Sequence, residues 1–127
     1  MGRDELSLQR ILREHAVLRL IIERFGQAAV AALAGGSAQE LRDAGRNLSL
    51  VLEGHVRGEE ELLKSSAGTN RIRELHEGHA AALAELRRLK ERDIASYAAT
   101  AARLAPHLLE ALATEERELL ADAAMHP

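Results

Sequence analysis

The sequence predicts an all-α protein, an antiparallel up-down-up-down four-helix bundle that occupies residues 1–127 as a single domain. Alanine, leucine, glutamate and arginine dominate the composition, which contains only two prolines and few β-branched residues, so helix is favoured throughout. Apolar residues recur at spacings of three and four in four segments. Because the connections between these segments are short, successive helices are expected to lie side by side and run in opposite directions.

Capping residues mark the end of the first predicted helix and the start of the second. The first is predicted from about residue 4, with Asp4 or Ser7 as its N-cap, to about residue 33. The Gly35-Gly36 pair then ends it in the way a left-handed C-cap does. Ser37-x-x-Glu40 is a capping box, which predicts that the second helix starts there and continues to about residue 64.

The last two helices follow a predicted loop at residues 65–70. Helix three ends before the Glu91-Arg92-Asp93 turn, and Asp93 or Ser96 is the N-cap of helix four. Pro106 lies about ten residues into helix four, where it removes one backbone hydrogen bond and predicts either a kink or a split helix. Such a distortion could turn the neighbouring His107 inward.

Charge and residue usage exclude several classes of function. The net charge is −3 with both signs interspersed, and Phe25 and Tyr97 are the only aromatic residues, so the chain lacks the basic stripe and stacking surface of a nucleic-acid-binding protein. The absence of cysteine excludes disulfides, thiolate chemistry and iron–sulfur ligation. No apolar run approaches the ~20 residues that span a membrane, and no signal-peptide core is present. A soluble, cytoplasmic protein without membrane contact is therefore expected.

Ionisable side chains fall on the apolar stripe of every predicted helix. In chain order they are His15 on helix one, His55 and Glu59 on helix two, His76 and His79 on helix three, and Glu115 on helix four. Burying an unpaired carboxylate in an aliphatic core costs several kcal/mol, so a cation is needed to compensate the charge. Imidazole and carboxylate ligands together suit iron, manganese or zinc.

Each of these residues alone has a simpler explanation. A single histidine on an apolar face is usually hydrogen-bonded within the protein, and glutamates in a Glu-Glu-x-x-Leu-Leu string usually lie on a solvated face. The pattern favours a metal site because residues of this kind occur at a similar depth on all four helices.

An ordered set of short motifs resembles the hemerythrin-like, HHE cation-binding family over nearly the whole chain. The motifs are Leu12-Arg13-Glu14-His15, His55-x-x-x-Glu59-Glu60, Glu77-Gly78-His79 and Glu115-Glu116. The resemblance implies a non-haem di-iron centre. It further implies that His15 and His55 hold one metal, that His79 holds the other, and that Glu59 and Glu115 bridge the two.

Two departures from the family pattern affect the expected metal content. Ala111 stands where the second H-x-x-x-E motif of the family has its histidine, so one metal lacks a ligand. Helix three offers both His76 and His79, and His76 either compensates for the missing ligand or has a structural role. Two iron ions are expected from the family, and a single ion or a different divalent metal is the alternative.

The function expected from this resemblance is binding of O2 or another small diatomic, or handling of peroxide or nitric oxide, at non-haem iron. Two alternatives stay open. One is a catalytic oxidoreductase that acts on peroxide, which leaves enzyme status undecided. The other is a metal-depleted helical bundle that acts by binding a protein partner, whose identity the sequence does not give.

Overall fold

The computed structural model describes the backbone of residues 3–65 and 70–125 and the side chains of residues 9–61 and 73–121. Within these residues the chain forms four α-helices and no strand, which confirms the predicted all-α class. The helices are α1 (Arg3–Leu33), α2 (Ala38–Ser65), α3 (Asn70–Leu89) and α4 (Ile94–Met125). Most of the predicted loop at residues 65–70, and also His126, lie outside the described residues.

The connection between α1 and α2 has the predicted caps. Gly35 has a φ of +92°, the left-handed conformation that glycine adopts without strain, and the Gly36 amide donates to the Ala31 carbonyl over 2.7 Å. The Ser37 hydroxyl then accepts a hydrogen bond from the Glu40 amide at 3.1 Å, which satisfies a backbone donor that the first turn of α2 leaves open. These bonds set α2 against α1 in a tight reversal.

The fourth helix begins at a single cap and continues through its proline. The Asp93 carboxylate accepts a hydrogen bond from the Ser96 amide at 2.8 Å, so Asp93 rather than Ser96 is the N-cap. This bond lowers the pKa of the Asp93 carboxyl group. Pro106 lies within the unbroken helix α4, so the alternative of a split helix was wrong.

Neighbouring helices contact each other in opposite chain directions. Along α1 and α2, Arg10 pairs with Glu61, whereas Phe25 lies beside Gly45. The same reversed order is found in the other three helix pairs. Between α1 and α4, His15 lies beside Glu115 and Gly26 beside Ala105. The corresponding contacts are Glu53 with Arg87 and Glu59 with His79 between α2 and α3, and His79 with Glu115 and Glu85 with Arg103 between α3 and α4. The contacts therefore describe an antiparallel four-helix bundle.

The two ends of the bundle bury different kinds of side chain. The core is mainly leucine, isoleucine and alanine, as the sequence pattern predicts. At the end formed by the start of α1 and the end of α4, five buried polar residues replace the aliphatics; we refer to them as the His/Glu cluster: His15, His55, Glu59, His79 and Glu115. At the other end, here the tyrosine end, the aromatic side chains of Phe25 and Tyr97 are buried beside Gly45. None of the described helices has an apolar stretch long enough to cross a membrane.

Candidate metal centre

His15 enters the cluster from α1, where it shares the buried face of Ile11, Leu18 and Ile22. The ring is completely buried. Its Nε2 lies 2.7 Å from Oε1 of Glu115, and its Nδ1 lies 3.1 Å from Oε1 of the next residue, Glu116. Each ring nitrogen therefore faces a carboxylate of α4.

The second helix contributes two residues, His55 and Glu59, which lie one turn apart on the same face. Both are only 1% exposed. The Nε2 of His55 lies 3.3 Å from Oε2 of Glu59 and 3.2 Å from Oε1 of Glu115. The α2 side of the cluster is therefore joined to α4 through one imidazole.

His79 completes the cluster from α3 and is also 1% exposed. Its Nδ1 lies 3.1 and 3.0 Å from the two carboxylate oxygens of Glu59, and 3.4 Å from Oε2 of Glu115. The ring centroids of His55 and His79 are 5.3 Å apart, and those of His15 and His55 are 4.8 Å apart. Three imidazoles thus surround two carboxylates in a space closed to solvent.

Four members of the cluster can reach a common point. One ligand atom from each of His55, Glu59, His79 and Glu115 lies within 4.8 Å of the others. Two buried atoms of the cluster, Nε2 of His79 and Oε2 of Glu115, have no hydrogen-bond partner among the described residues. Buried polar atoms are rarely left in this state, and a bound ion is one of the usual reasons. The donor set of imidazole nitrogens and carboxylate oxygens fits iron, manganese or zinc.

The charge balance of the cluster also favours a cation. Burial alone would lower the pKa of His55, but the carboxylates of Glu115 and Glu59 outweigh burial and raise it to about 10. Burial would raise the pKa of Glu59, but its contacts with His55 and His79 hold it well below the usual range. The Glu59 carboxylate therefore stays ionised and attracts positive charge, which a proton or a metal ion can supply.

Two further carboxylates orient the histidines from outside the cluster. Glu116 contacts Nδ1 of His15 and is held by Arg19, while Oε2 of Glu14 lies 3.4 Å from Nδ1 of His55. Burial would raise the pKa of Glu116, but Arg19 and His15 lower it. A carboxylate on the outer ring nitrogen fixes the tautomer and direction of a metal-binding histidine. Neither role follows from the sequence, in which the available signal is that each glutamate adjoins a cluster residue.

His76 reaches the edge of the cluster. Its side chain is 16% exposed, and its Nδ1 lies 3.3 Å from Oε1 of Glu59, while Nε2 lies 3.8 Å from Oε1 of Glu60. His107, in contrast, is exposed, so the possible inward turn of this residue at Pro106 does not occur. Among the predicted candidates, His76 is the one placed to add to the cluster.

Ala111 lies beside the cluster rather than at its centre. The family pattern places position 111 among the metal ligands, but the structure buries Leu112 to 1% exposure and leaves Ala111 only partly buried. The helix is rotated so that Leu108, Leu112 and Glu115 face inward. Within the described part of α4, Glu115 is therefore the residue that supplies a ligand atom to the cluster.

A comparison with protein families identifies the family of the chain. The family model described as the hemerythrin HHE cation-binding domain matches residues 6–123, which include every residue of the cluster. No curated protein and no solved structure matches the chain.

Proposed function

Because the chain belongs to the hemerythrin HHE cation-binding family, we propose that its His/Glu cluster binds iron and that the iron-loaded protein binds O2 or another small diatomic, or handles peroxide or nitric oxide. Membership of the family implies cation binding. The choice of iron and of a small ligand is our proposal. A cytoplasmic location remains a prediction from the sequence.

The observation that carries this proposal is the pair of buried atoms without partners, Nε2 of His79 and Oε2 of Glu115. Both belong to residues that already converge within 4.8 Å. A cluster that served only to hold the helices together would be expected to satisfy its own hydrogen bonds, because an unpaired buried polar group destabilises the fold. Buried atoms without hydrogen-bond partners, in a solvent-closed cluster that contains two glutamates, indicate a ligand of positive charge.

We propose two iron ions per chain, held unequally. Glu115 lies nearest His15 and His55, at 2.7 and 3.2 Å, whereas Glu59 lies nearest His79 and His76, at 3.0 and 3.3 Å. The ligand atoms thus divide into two groups, each with two imidazoles and one nearest carboxylate. The group with His76 is the weaker one, because His76 is partly exposed and α4 supplies no histidine in place of Ala111.

The surrounding residues would keep the site dry and oriented. Leucines one turn from the cluster, such as Leu52, Leu83 and Leu112, are buried and exclude water. Glu14 fixes the orientation of the His55 imidazole, and Glu116 fixes that of His15. Iron held in this way would supply coordination positions that the protein leaves open, and an apolar wall admits a small uncharged ligand more readily than a polar substrate.

Metal analysis of protein purified under iron-replete conditions tests the proposal. We expect more than one iron per chain, approaching two, with an absorption band in the near ultraviolet that chelation removes. The absorption of the reduced protein should change when nitric oxide is added. The matched control is the variant Glu61→Ala, which removes an exposed glutamate of α2 that pairs with Arg10 and should retain the metal.

Two other results would identify the alternatives. The wild-type protein could contain no metal and show the same thermal stability with and without iron. That result would identify a helical bundle that acts by partner binding. Sustained turnover of added peroxide by the iron-loaded protein would instead identify a catalytic oxidoreductase.

A further inference from the structure

A cavity lies between α2 and α3, close to the start of α4, and shares no residue with the His/Glu cluster. It encloses about 500 Å³, which is within the range of ordinary sites for small organic molecules. Apolar side chains, including Leu50 and Leu86, form part of its wall. The cavity is therefore larger than an inorganic ion needs and partly suited to an apolar group.

The charged side chains around this cavity are mainly basic. Arg42 and Arg46 line it from α2, and Arg87 and Lys90 line it from α3. Glu53 is the acidic residue in the wall, and it already pairs with Arg57 at 2.7 Å and with Arg87 at 3.4 Å. Arg46 is also paired, with Asp43 at 3.0 Å outside the cavity. Four cations against one carboxylate give the cavity a positive potential that favours an anion.

The side chain of Tyr97 also lines this cavity. Tyr97 is 4% exposed, and its ring, which carries the hydroxyl group, lies 5.3 Å from the Arg42 guanidinium. A Cβ at position 45 would lie 1.9 Å from this hydroxyl oxygen, so only glycine leaves it room. Gly45 lies in the interior of α2, where glycine destabilises a helix. The chain thus keeps an unfavourable helical residue at the point that lets the tyrosine hydroxyl reach the cavity.

From these features we infer that the cavity is a binding site for a small organic anion, with an apolar or aromatic body and a phosphate, sulfonate or carboxylate group. The guanidinium groups of Arg46 and Arg87 would bind the anionic group from two helices, since arginine pairs with such groups through two parallel hydrogen bonds. The Tyr97 hydroxyl donates a further hydrogen bond. Leu50 and Leu86 contact the apolar body. Iron binding is not required for this site.

Binding of the fluorescent dye 8-anilinonaphthalene-1-sulfonate to the full chain tests the inference, because the dye combines a sulfonate with an aromatic body. We expect saturable binding of one dye per chain that weakens as salt is added. The double variant Arg46→Ala/Arg87→Ala should weaken binding by about tenfold or more, since charge-assisted hydrogen bonds are the strong ones. The variant Tyr97→Phe, which keeps the ring, should weaken it several-fold.

The variant Arg24→Ala is the matched control, because it removes one exposed arginine from α1, away from the cavity. Its dye affinity should equal that of the wild type, and circular dichroism should show unchanged helix content in all variants. Phenyl phosphate should displace the dye at a lower concentration than inorganic phosphate. Undiminished dye binding by the Arg46→Ala/Arg87→Ala variant, or equal loss in Arg24→Ala, would overturn the inference.

Discussion

The two ends of the bundle are buried to the same degree but stabilised in different ways. At the tyrosine end, Phe25 and Tyr97 pack among aliphatic side chains, and Gly45 makes room for the tyrosine hydroxyl. At the opposite end, the His/Glu cluster places two carboxylates beside three imidazoles, all at 1% exposure or less. Apolar packing is the main contribution to the first arrangement, whereas the second depends on which positive charges are present.

This difference indicates that the two ends of the bundle have different roles, one in stability and the other in binding a ligand. Buried charged groups destabilise a fold unless they are paired and hydrogen-bonded, and two atoms of the cluster have no hydrogen-bond partner among the described residues. The tyrosine end has no such requirement and can hold the four helices in register without a ligand. We expect the two ends to respond differently to the same change, and the following experiments measure that difference.

Removal of metal should give the largest effect. If iron binds the folded chain and not the unfolded chain, an iron concentration about 1,000-fold above the dissociation constant raises the free energy of unfolding by about 4 kcal/mol. Chelation should remove this stabilisation and lower the melting temperature. Hydrogen exchange should then accelerate at residues 11–19, 52–60 and 108–119 more than at residues 22–33 and 97–105. Uniform acceleration in both regions would show that the ends are not separable.

Loss of Glu59 should remove more metal than loss of His76. Glu59 is 1% exposed and contacts His55, His76 and His79, whereas His76 is partly exposed and contacts the cluster through Glu59. We expect Glu59→Ala to lose most of its iron and His76→Ala to lose the weaker ion, as measured by metal analysis. Equal losses in the two variants would show that His76 is as important a ligand as Glu59.

Two glycines of α2 should respond in opposite directions to the same substitution. A Cβ at Gly45 would meet the Tyr97 hydroxyl at 1.9 Å and Phe25 at 3.3 Å, so Gly45→Ala should destabilise the tyrosine end by about 1–3 kcal/mol. Gly54 has nothing within 4 Å of such a Cβ, and Gly54→Ala should stabilise the helix by up to about 1 kcal/mol.

Urea unfolding of both glycine variants measures these changes. Iron content should stay at the wild-type value in both, because neither position contacts the cluster. Adding Tyr97→Phe to Gly45→Ala should recover part of the lost stability by removing the nearest clashing atom. A Gly45→Ala variant as stable as the wild type would contradict the close packing of this end.

Restoring a histidine on α4 should give the smallest change in stability. Ala111 is partly buried one turn before Glu115, so Ala111→His places an imidazole at the edge of the cluster. We expect iron content to rise toward two per chain and the iron-loaded protein to gain about 1 kcal/mol, because the new ligand binds the folded state. Ala113→His is the control, since position 113 projects from a different face of the helix. Destabilisation by Ala111→His with unchanged iron content would contradict our placement of α4.

Most helix boundaries could be predicted because they depend on residues that are close together in the sequence. Ser37 and Glu40 predict the start of α2 because a side-chain cap needs only neighbouring residues. Gly35 predicts the end of α1 because its positive φ is a property of one residue. The path of the chain through Pro106 could not be decided in the same way. One lost hydrogen bond either breaks a helix or is tolerated, according to how the helix packs on its neighbours.

At the candidate site, the sequence pattern could not predict which residues of α4 face the core. A helix turns by about 100° per residue, so Ala111 and Leu112 lie on either side of the line through Glu115. Which of them faces the core depends on a modest rotation of α4, and the packing of Leu108 and Leu112 decides it. The roles of Glu14 and Glu116 were also beyond the sequence, since each contacts a histidine of another helix.

The position of Tyr97 makes the protein its own optical probe. The chain contains one tyrosine and no tryptophan, so its ultraviolet emission comes from a single known point at the tyrosine end. Along α4, the 18 residues from Tyr97 to Glu115 correspond to about 27 Å. Iron that absorbs in the near ultraviolet would accept energy from the excited phenol ring across this length. If iron binds at the cluster, loading should therefore lower the tyrosine fluorescence in part, which can be measured without a label.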